Sequence, residues 1–160
     1  MVDLDIVSTS AERTRRIGFA LGELLRGGDV VLLTGDLGVG KTCLAQGIAG
    51  GLGVDDYVSS PSFVLLREYR GRLPFYHADF YRLDDVEEMA SLGLDDYLYG
   101  DGVCVVEWAD KGLSVLTEQH LLIEMEHLGP AKRKLSFRPA GRRYDDLVSD
   151  LKARVGAAGR

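Results

Sequence analysis

Gly35-Asp36-Leu37-Gly38-Val39-Gly40-Lys41-Thr42 has the residue types and spacing of a polyphosphate cradle: a glycine, four variable positions, then Gly-Lys-Thr. Each part has a chemical task. The glycines let the chain curl until successive main-chain N–H groups point into one concavity, which suits phosphate oxygens. A following helix adds the positive end of its dipole and its unpaired N–H donors. The Lys41 ammonium is a point charge for the terminal phosphates, and the Thr42 hydroxyl is a hard oxygen ligand for magnesium. A bound nucleoside triphosphate with magnesium is the expected outcome.

Such a loop works only between a strand and a helix, and both are legible. Val30-Val31-Leu32-Leu33 is an apolar run ending at Thr34. Leu44, Ala45, Ile48, Ala49 and Leu52 recur at helical spacing after the loop. Upstream, Leu4, Ile6 and Val7 suggest a short strand. Ser8, Thr9 or Ser10 offers an N-cap to a helix reaching Leu25, and Gly27-Gly28 ends it. Thr14 on that helix either touches a nucleotide base or belongs to the scaffold.

Downstream, Gly50, Gly51 and Gly53 stop the periodicity. Phe63 to Tyr69 and Leu73 to Ala78 read as a hairpin turned at Gly71, with Asp79 just past it. A short helix is expected over Asp84 to Leu92 and another helical turn over Leu94 to Leu98. Val103 to Val106, wholly apolar, reads as a buried parallel strand ending in Glu107-Trp108. His120 to Met125 and Lys134 to Arg138 form a second expected hairpin around Gly129-Pro130, and Tyr144 to Val155 carries a helical apolar stripe. The expected fold is α/β: a single P-loop NTPase domain over residues 1–156, with a mixed, mostly parallel sheet flanked by helices and including β-hairpins, and 157–160 as a frayed tail.

A P-loop nucleotidase also needs a carboxylate at the metal, usually at the end of a buried strand. Glu107 follows the most buried-looking strand; Asp79 follows a hairpin strand, where a turn Asp capping the next segment is the common alternative. His77 beside it is ordinarily a satisfied structural histidine, and Arg82 a partner for acids. Ser60-Pro61-Ser62 fits a plain turn and a switch loop touching metal or γ-phosphate equally well.

The 160 residues carry a formal charge of −6 and a pI near 5.0, against an extended basic surface for tight, independent nucleic-acid binding, DNA included, while leaving room for a local basic patch. The two cysteines cannot make a disulfide framework. The N-terminal residues lack a basic and an apolar region of a secretory signal, and no apolar stretch is long enough to span a bilayer. A cytoplasmic protein with no membrane association is expected.

GDLGVGKT, SPSF, HADFYRL and VEW occur together in an order and spacing that resembles the TsaE family, also called YjeE or YdiB, small bacterial ATPases of tRNA threonylcarbamoyladenosine synthesis. The likeness runs from the first helix to the second hairpin. It implies a P-loop domain binding ATP and magnesium. It also implies work with the TsaB–TsaD pair, which modifies an adenosine beside the anticodon, at tRNA position 37. Hydrolysis slow alone, resetting that complex, is implied as well; tRNA is then met indirectly. Thr42 and Glu107 match the family's magnesium positions, Gly38, Gly40 and Lys41 its phosphate cradle, and Asp79 the acid implicated in hydrolysis. Arg133 resembles a basic residue of the late hairpin that approaches the nucleotide. Two positions depart from the pattern. Ser62 stands where Thr is more usual and keeps the hydroxyl. Cys43 stands where a second Thr is frequent, losing a hydroxyl for the α-phosphate but keeping its N–H.

Other classes fit less well. A small GTPase needs N-K-x-D, and the chain has no Asn and no D-x-x-G. A small-molecule kinase usually has an arginine-rich lid, and no such cluster lies between Gly71 and Gly112. A nucleotide-gated binding module is the non-enzymatic alternative.

Overall fold

An unbroken apolar run is what a strand needs when both of its faces are covered, and β2 (Val30–Gly35) is such a strand. The computed structural model of the protein describes residues 3–36, 38–56, 58, 66–79, 100–107 and 119–158. Its described elements are β1 (Leu4–Ser8), α1 (Ala11–Leu24), β2, α2 (Lys41–Gly51), β3 (Leu66–Arg70), β4 (Pro74–Asp79), β5 (Val103–Glu107), β6 (His120–His127), β7 (Arg133–Ala140) and α3 (Arg142–Ala158).

The strands form one sheet in the order β1-β7-β6-β2-β5-β4-β3. The inner strands β6, β2, β5 and β4 run parallel, while β3 and the β7–β1 pair are antiparallel edges. The sheet is therefore mixed, parallel at its centre and bordered by the two hairpins read from the sequence. On one face Val31, Leu33, Phe75, Val103, Val105, Ile123 and Phe137 join Ile17 and Leu21 of α1, Leu44 and Ile48 of α2, and Leu147 and Leu151 of α3 in one core. Val30, Leu32, Cys104 and Val106 alternate onto the other face and are buried as well.

Helix α1 begins as its sequence directs: the Ser10 side chain accepts from the Arg13 N–H at 3.0 Å. Its end is set from elsewhere. The chain turns extended at Leu25, one residue before the expected end. The Arg72 guanidinium, from the turn after β3, donates to the carbonyls of Gly22 at 2.7 Å and Leu25 at 2.8 Å. The two helices touch backbone to backbone. A Cβ on Gly22 would lie 2.2 Å from the Ile48 carbonyl, and one on Gly47 would lie 2.2 Å from the Arg15 carbonyl.

The start of β2 is locked by Asp29, which accepts from Arg143 through both carboxylate oxygens, at 3.1 and 2.6 Å. That hydrogen bond raises the Arg143 pKa, burial opposing it. Several other boundaries differ from expectation. Gly50 and Gly51 stay inside α2, and at Gly51 the α1 backbone fills the space of a side chain, a Cβ there lying 2.2 Å from the Phe19 carbonyl. Asp79 is the last residue of β4 and not a turn residue beyond it. Helix α3 runs on to Ala158, into the expected tail. The expected helices over 84–92 and 94–98, the SPS segment and Trp108 lie outside the described residues. Among those described, no helix is long and apolar enough to cross a membrane.

Candidate functional site

Parallel strands put their C-terminal ends on one edge of a sheet, and three of them end here together. β2 runs out at Gly35, β5 at Glu107 and β4 at Asp79. Leu33 pairs with Glu107, and Glu107 pairs with Asp79, so the loop and both carboxylates share that edge.

Gly35 leaves β2 at φ +145° and Gly40 enters α2 at φ +107° in the left-handed region, a value at which a side chain is strained. Gly40 is the N-cap of α2 and brings no side chain to cap it; the first turn holds no acid either. The positive end of α2 is thus left for an anion from outside the helix. Lys41 is buried, and its ammonium donates to the carbonyls of Gly35 at 2.6 Å and Asp36 at 2.9 Å, closing the loop on itself. Within the loop the Val39 N–H reaches the Asp36 carbonyl at 3.1 Å while the Val39 side chain enters the core.

Thr42, on the first turn of α2, points its hydroxyl at Glu107, 3.3 Å from Oε1 and 3.4 Å from Oε2. Hydroxyl hydrogen bonds to carboxylates are normally well under 3 Å, so this contact is loose. Glu107 is only 2% exposed. A buried carboxylate is costly unless it is paired, and the second partner is the His77 Nε2, which meets Oε2. Asp79 is buried to the same degree.

These donors fit magnesium. A hydroxyl and a carboxylate are hard oxygen ligands, and magnesium normally takes one or two such protein groups and completes its shell with water and substrate phosphates. Among the described residues no cluster of three or more His, Cys, Asp or Glu side chains forms a cage of the protein's own.

The remaining sequence candidates fall in distinct places. Arg133, at the start of β7, reaches the loop: its Nε donates to the Val39 carbonyl at 3.0 Å. Gly38, at φ +80°, has open space on the side a Cβ would occupy. The Cys43 thiol turns to the Ala11 carbonyl at 3.2 Å, and burial raises its pKa against the opposing charge of Arg15. Its backbone N–H, not its thiol, remains as the candidate contact there. Thr14 is buried, with its hydroxyl 2.7 Å from the Ser8 hydroxyl and 3.2 Å from the Ser10 carbonyl, at the β1–α1 junction. Leu37, Ser60, Ser62 and Arg82 lie outside the described residues.

The histidine contact escaped the sequence reading. The available signal was alternation: His77 and Asp79 lie two apart on β4 and so share a face, and Glu107 pairs with Asp79 on the neighbouring strand.

A family model described as threonylcarbamoyl adenosine biosynthesis protein TsaE matches residues 8–135. A tRNA threonylcarbamoyladenosine biosynthesis protein TsaE of Bacillus subtilis (strain 168) is 41% identical over 145 residues, 90% of each chain. The protein of the same description from Treponema pallidum (strain Nichols) is 43% identical over 130 residues, 81% of this chain and 96% of its own. The crystal structure of Bacillus subtilis YdiB superposes with a TM-score of 0.85 at 36% identity, covering 96% of both chains.

Proposed function

The chain belongs to the TsaE family of threonylcarbamoyl adenosine biosynthesis proteins, and from that premise we propose that it is the family's magnesium-dependent ATPase, acting in the cytoplasm. Its part in tRNA threonylcarbamoyladenosine synthesis follows from the family.

The observation that carries the ATPase reading is the Thr42 hydroxyl facing the Glu107 carboxylate, one residue beyond a lysine that already closes a glycine loop on itself. In this reading the amides of Gly38 to Thr42 and the Lys41 ammonium hold the β- and γ-phosphates, and the Cys43 N–H meets the α-phosphate. Lys41 exchanges loop carbonyls for phosphate oxygens when ATP arrives. Thr42 and Glu107 would hold magnesium, which neutralises charge on the transferred phosphoryl group. Asp79, on the same edge, orients the water that attacks the γ-phosphorus. The bond to the β–γ bridging oxygen breaks, giving ADP and phosphate. The TsaB–TsaD pair is the proposed partner, and tRNA is met through it.

Calorimetry with ATP and Mg2+, followed by phosphate release with and without the TsaB–TsaD pair, tests the reading. Binding with slow turnover that the pair accelerates is expected. Absence of any heat of complexation in both settings overturns it; transfer of the γ-phosphate to a small acceptor makes the protein a kinase instead.

A further inference from the structure

His77 lies wholly within the protein, on β4, in register with Val105 of β5, so its ring reaches diagonally to the Glu107 carboxylate two residues on. Its Nε2 meets Glu107 Oε2. A carboxylate accepts, so Nε2 carries the hydrogen. The other ring nitrogen, Nδ1, is buried and has no hydrogen-bond partner among the described residues. An N–H there would be an orphaned donor, whereas a bare lone pair is the cheaper state. Phe75 stacks on the ring at 5.9 Å between centroids and 21° between planes, fixing its orientation. The imidazole is therefore held as a one-way donor aimed at one oxygen of Glu107. The Thr42 hydroxyl faces the same carboxylate, 3.3 Å from Oε1 and 3.4 Å from Oε2.

We infer that His77 is the positioning residue of the magnesium site: it pins Oε2 of Glu107 and so holds the carboxylate facing Thr42 and the metal. The inference rests on Glu107 being a magnesium ligand, as proposed above. Without His77 a buried carboxylate loses its principal donor and can rotate away from Thr42. Outer hydrogen bonds of this kind tune metal affinity by about 10- to 100-fold.

The test measures ATP affinity by calorimetry across a magnesium titration and again in EDTA, for the wild type, His77→Leu, His77→Gln and Glu107→Gln. His77→Leu should raise the magnesium concentration for half-saturation about tenfold or more. Its affinity for ATP in EDTA should stay at the wild-type value. His77→Gln, which keeps an N–H donor, should recover most of the magnesium response. A merely structural histidine would instead weaken binding equally with and without magnesium, or leave both unchanged, and either result overturns the inference. So does a Gln variant as impaired as Leu. Glu107→Gln separates the layers: if it raises the magnesium requirement and His77→Leu does not, the positioning role fails alone. If it changes nothing, the assignment of Glu107 fails and the positioning role falls with it.

Should His77→Leu not fold, nitrogen NMR of the wild type decides, since the chain has three histidines to assign. An Nε2–H tautomer for His77, kept when ADP and Mg2+ are added, supports the role; an Nδ1–H tautomer overturns it.

Discussion

Arg133 and Val39 are bound to each other: the guanidinium Nε donates to the Val39 carbonyl at 3.0 Å, across 94 residues of chain. The same side chain spans the base of its own hairpin turn, reaching the Gly129 carbonyl at 3.0 Å. The β6–β7 hairpin thus braces the crest of the glycine loop from outside, with a charged donor on a neutral acceptor. Arg133→Ala should free the loop without unfolding the sheet. Hydrogen bonds from charged groups contribute about 1.5–3 kcal/mol, so ATP affinity should fall by roughly tenfold to a hundredfold. Calorimetry reads the loss, and a melting temperature close to wild type separates it from global damage.

Lys41 and Glu107 should fail differently when removed. Lys41→Ala deletes the charge proposed to meet the phosphates and the brace between the Gly35 and Asp36 carbonyls, so binding itself should go, with or without magnesium. Glu107→Ala should keep much of the ATP affinity measured in EDTA. Its magnesium-dependent phosphate release should drop about 100-fold or more, as for other preorganised charge-stabilising groups. Unchanged release from Glu107→Ala would shift the metal role to Asp79, its register partner.

The α1–α2 contact yields a stability prediction with an internal control. In an open helix Gly→Ala is stabilising by about 1 kcal/mol. At Gly22 the new methyl would lie 2.2 Å from the Ile48 carbonyl, a backbone atom that moves only with its helix. Overpacking of this kind costs about 1–3 kcal/mol or more, so Gly22→Ala should lower the melting temperature by roughly 3–10 °C. At Gly50 the nearest atom is the Phe19 ring edge at 3.2 Å, and Phe19 is 47% exposed and can yield. Gly50→Ala should therefore be neutral or slightly stabilising in the same thermal scan.

Cys104 gives a pH dependence. Burial pushes its thiol pKa from 9.0 up to about 12. The unfolded thiol loses its proton first, so between those values the unfolded state binds fewer protons and stability falls as pH rises. The contribution is intact below pH 9.0 and is lost progressively towards about pH 12. By about pH 10.5 the loss amounts to roughly 2 kcal/mol. Tyr144 adds to the loss with the same sign, its pKa also raised by burial. Melting curves at pH 8 and about pH 10.5 should show a smaller alkaline drop for Cys104→Ala than for wild type. In native protein, thiol reagents should modify half-exposed Cys43 slowly and leave Cys104 untouched until unfolding.

Local chemistry was readable in the order of the residues. The glycine spacing from Gly35 to Gly40, the apolar run of β2, the Ser10 cap and the stripes of α2 and α3 each act over a few neighbours, and period and cap chemistry are local properties. Strand β5 was legible for the same reason, and so was the acid at its end. What the chain order could not carry was which ends meet. The arrest of α1 by Arg72, 47 to 50 residues away, has no local signature.

The sequence alone determined that a glycine-rich loop would form between a buried strand and a helix, because turn geometry and hydrophobic period are written within a dozen residues. Only the tertiary structure decided that Glu107 would face Thr42 across 65 residues, that His77 would meet its carboxylate, and that Arg133 would brace the loop. The reason is the parallel centre of the sheet: strand order and register, set by packing across the whole chain, bring the ends of β2, β4 and β5 to one edge.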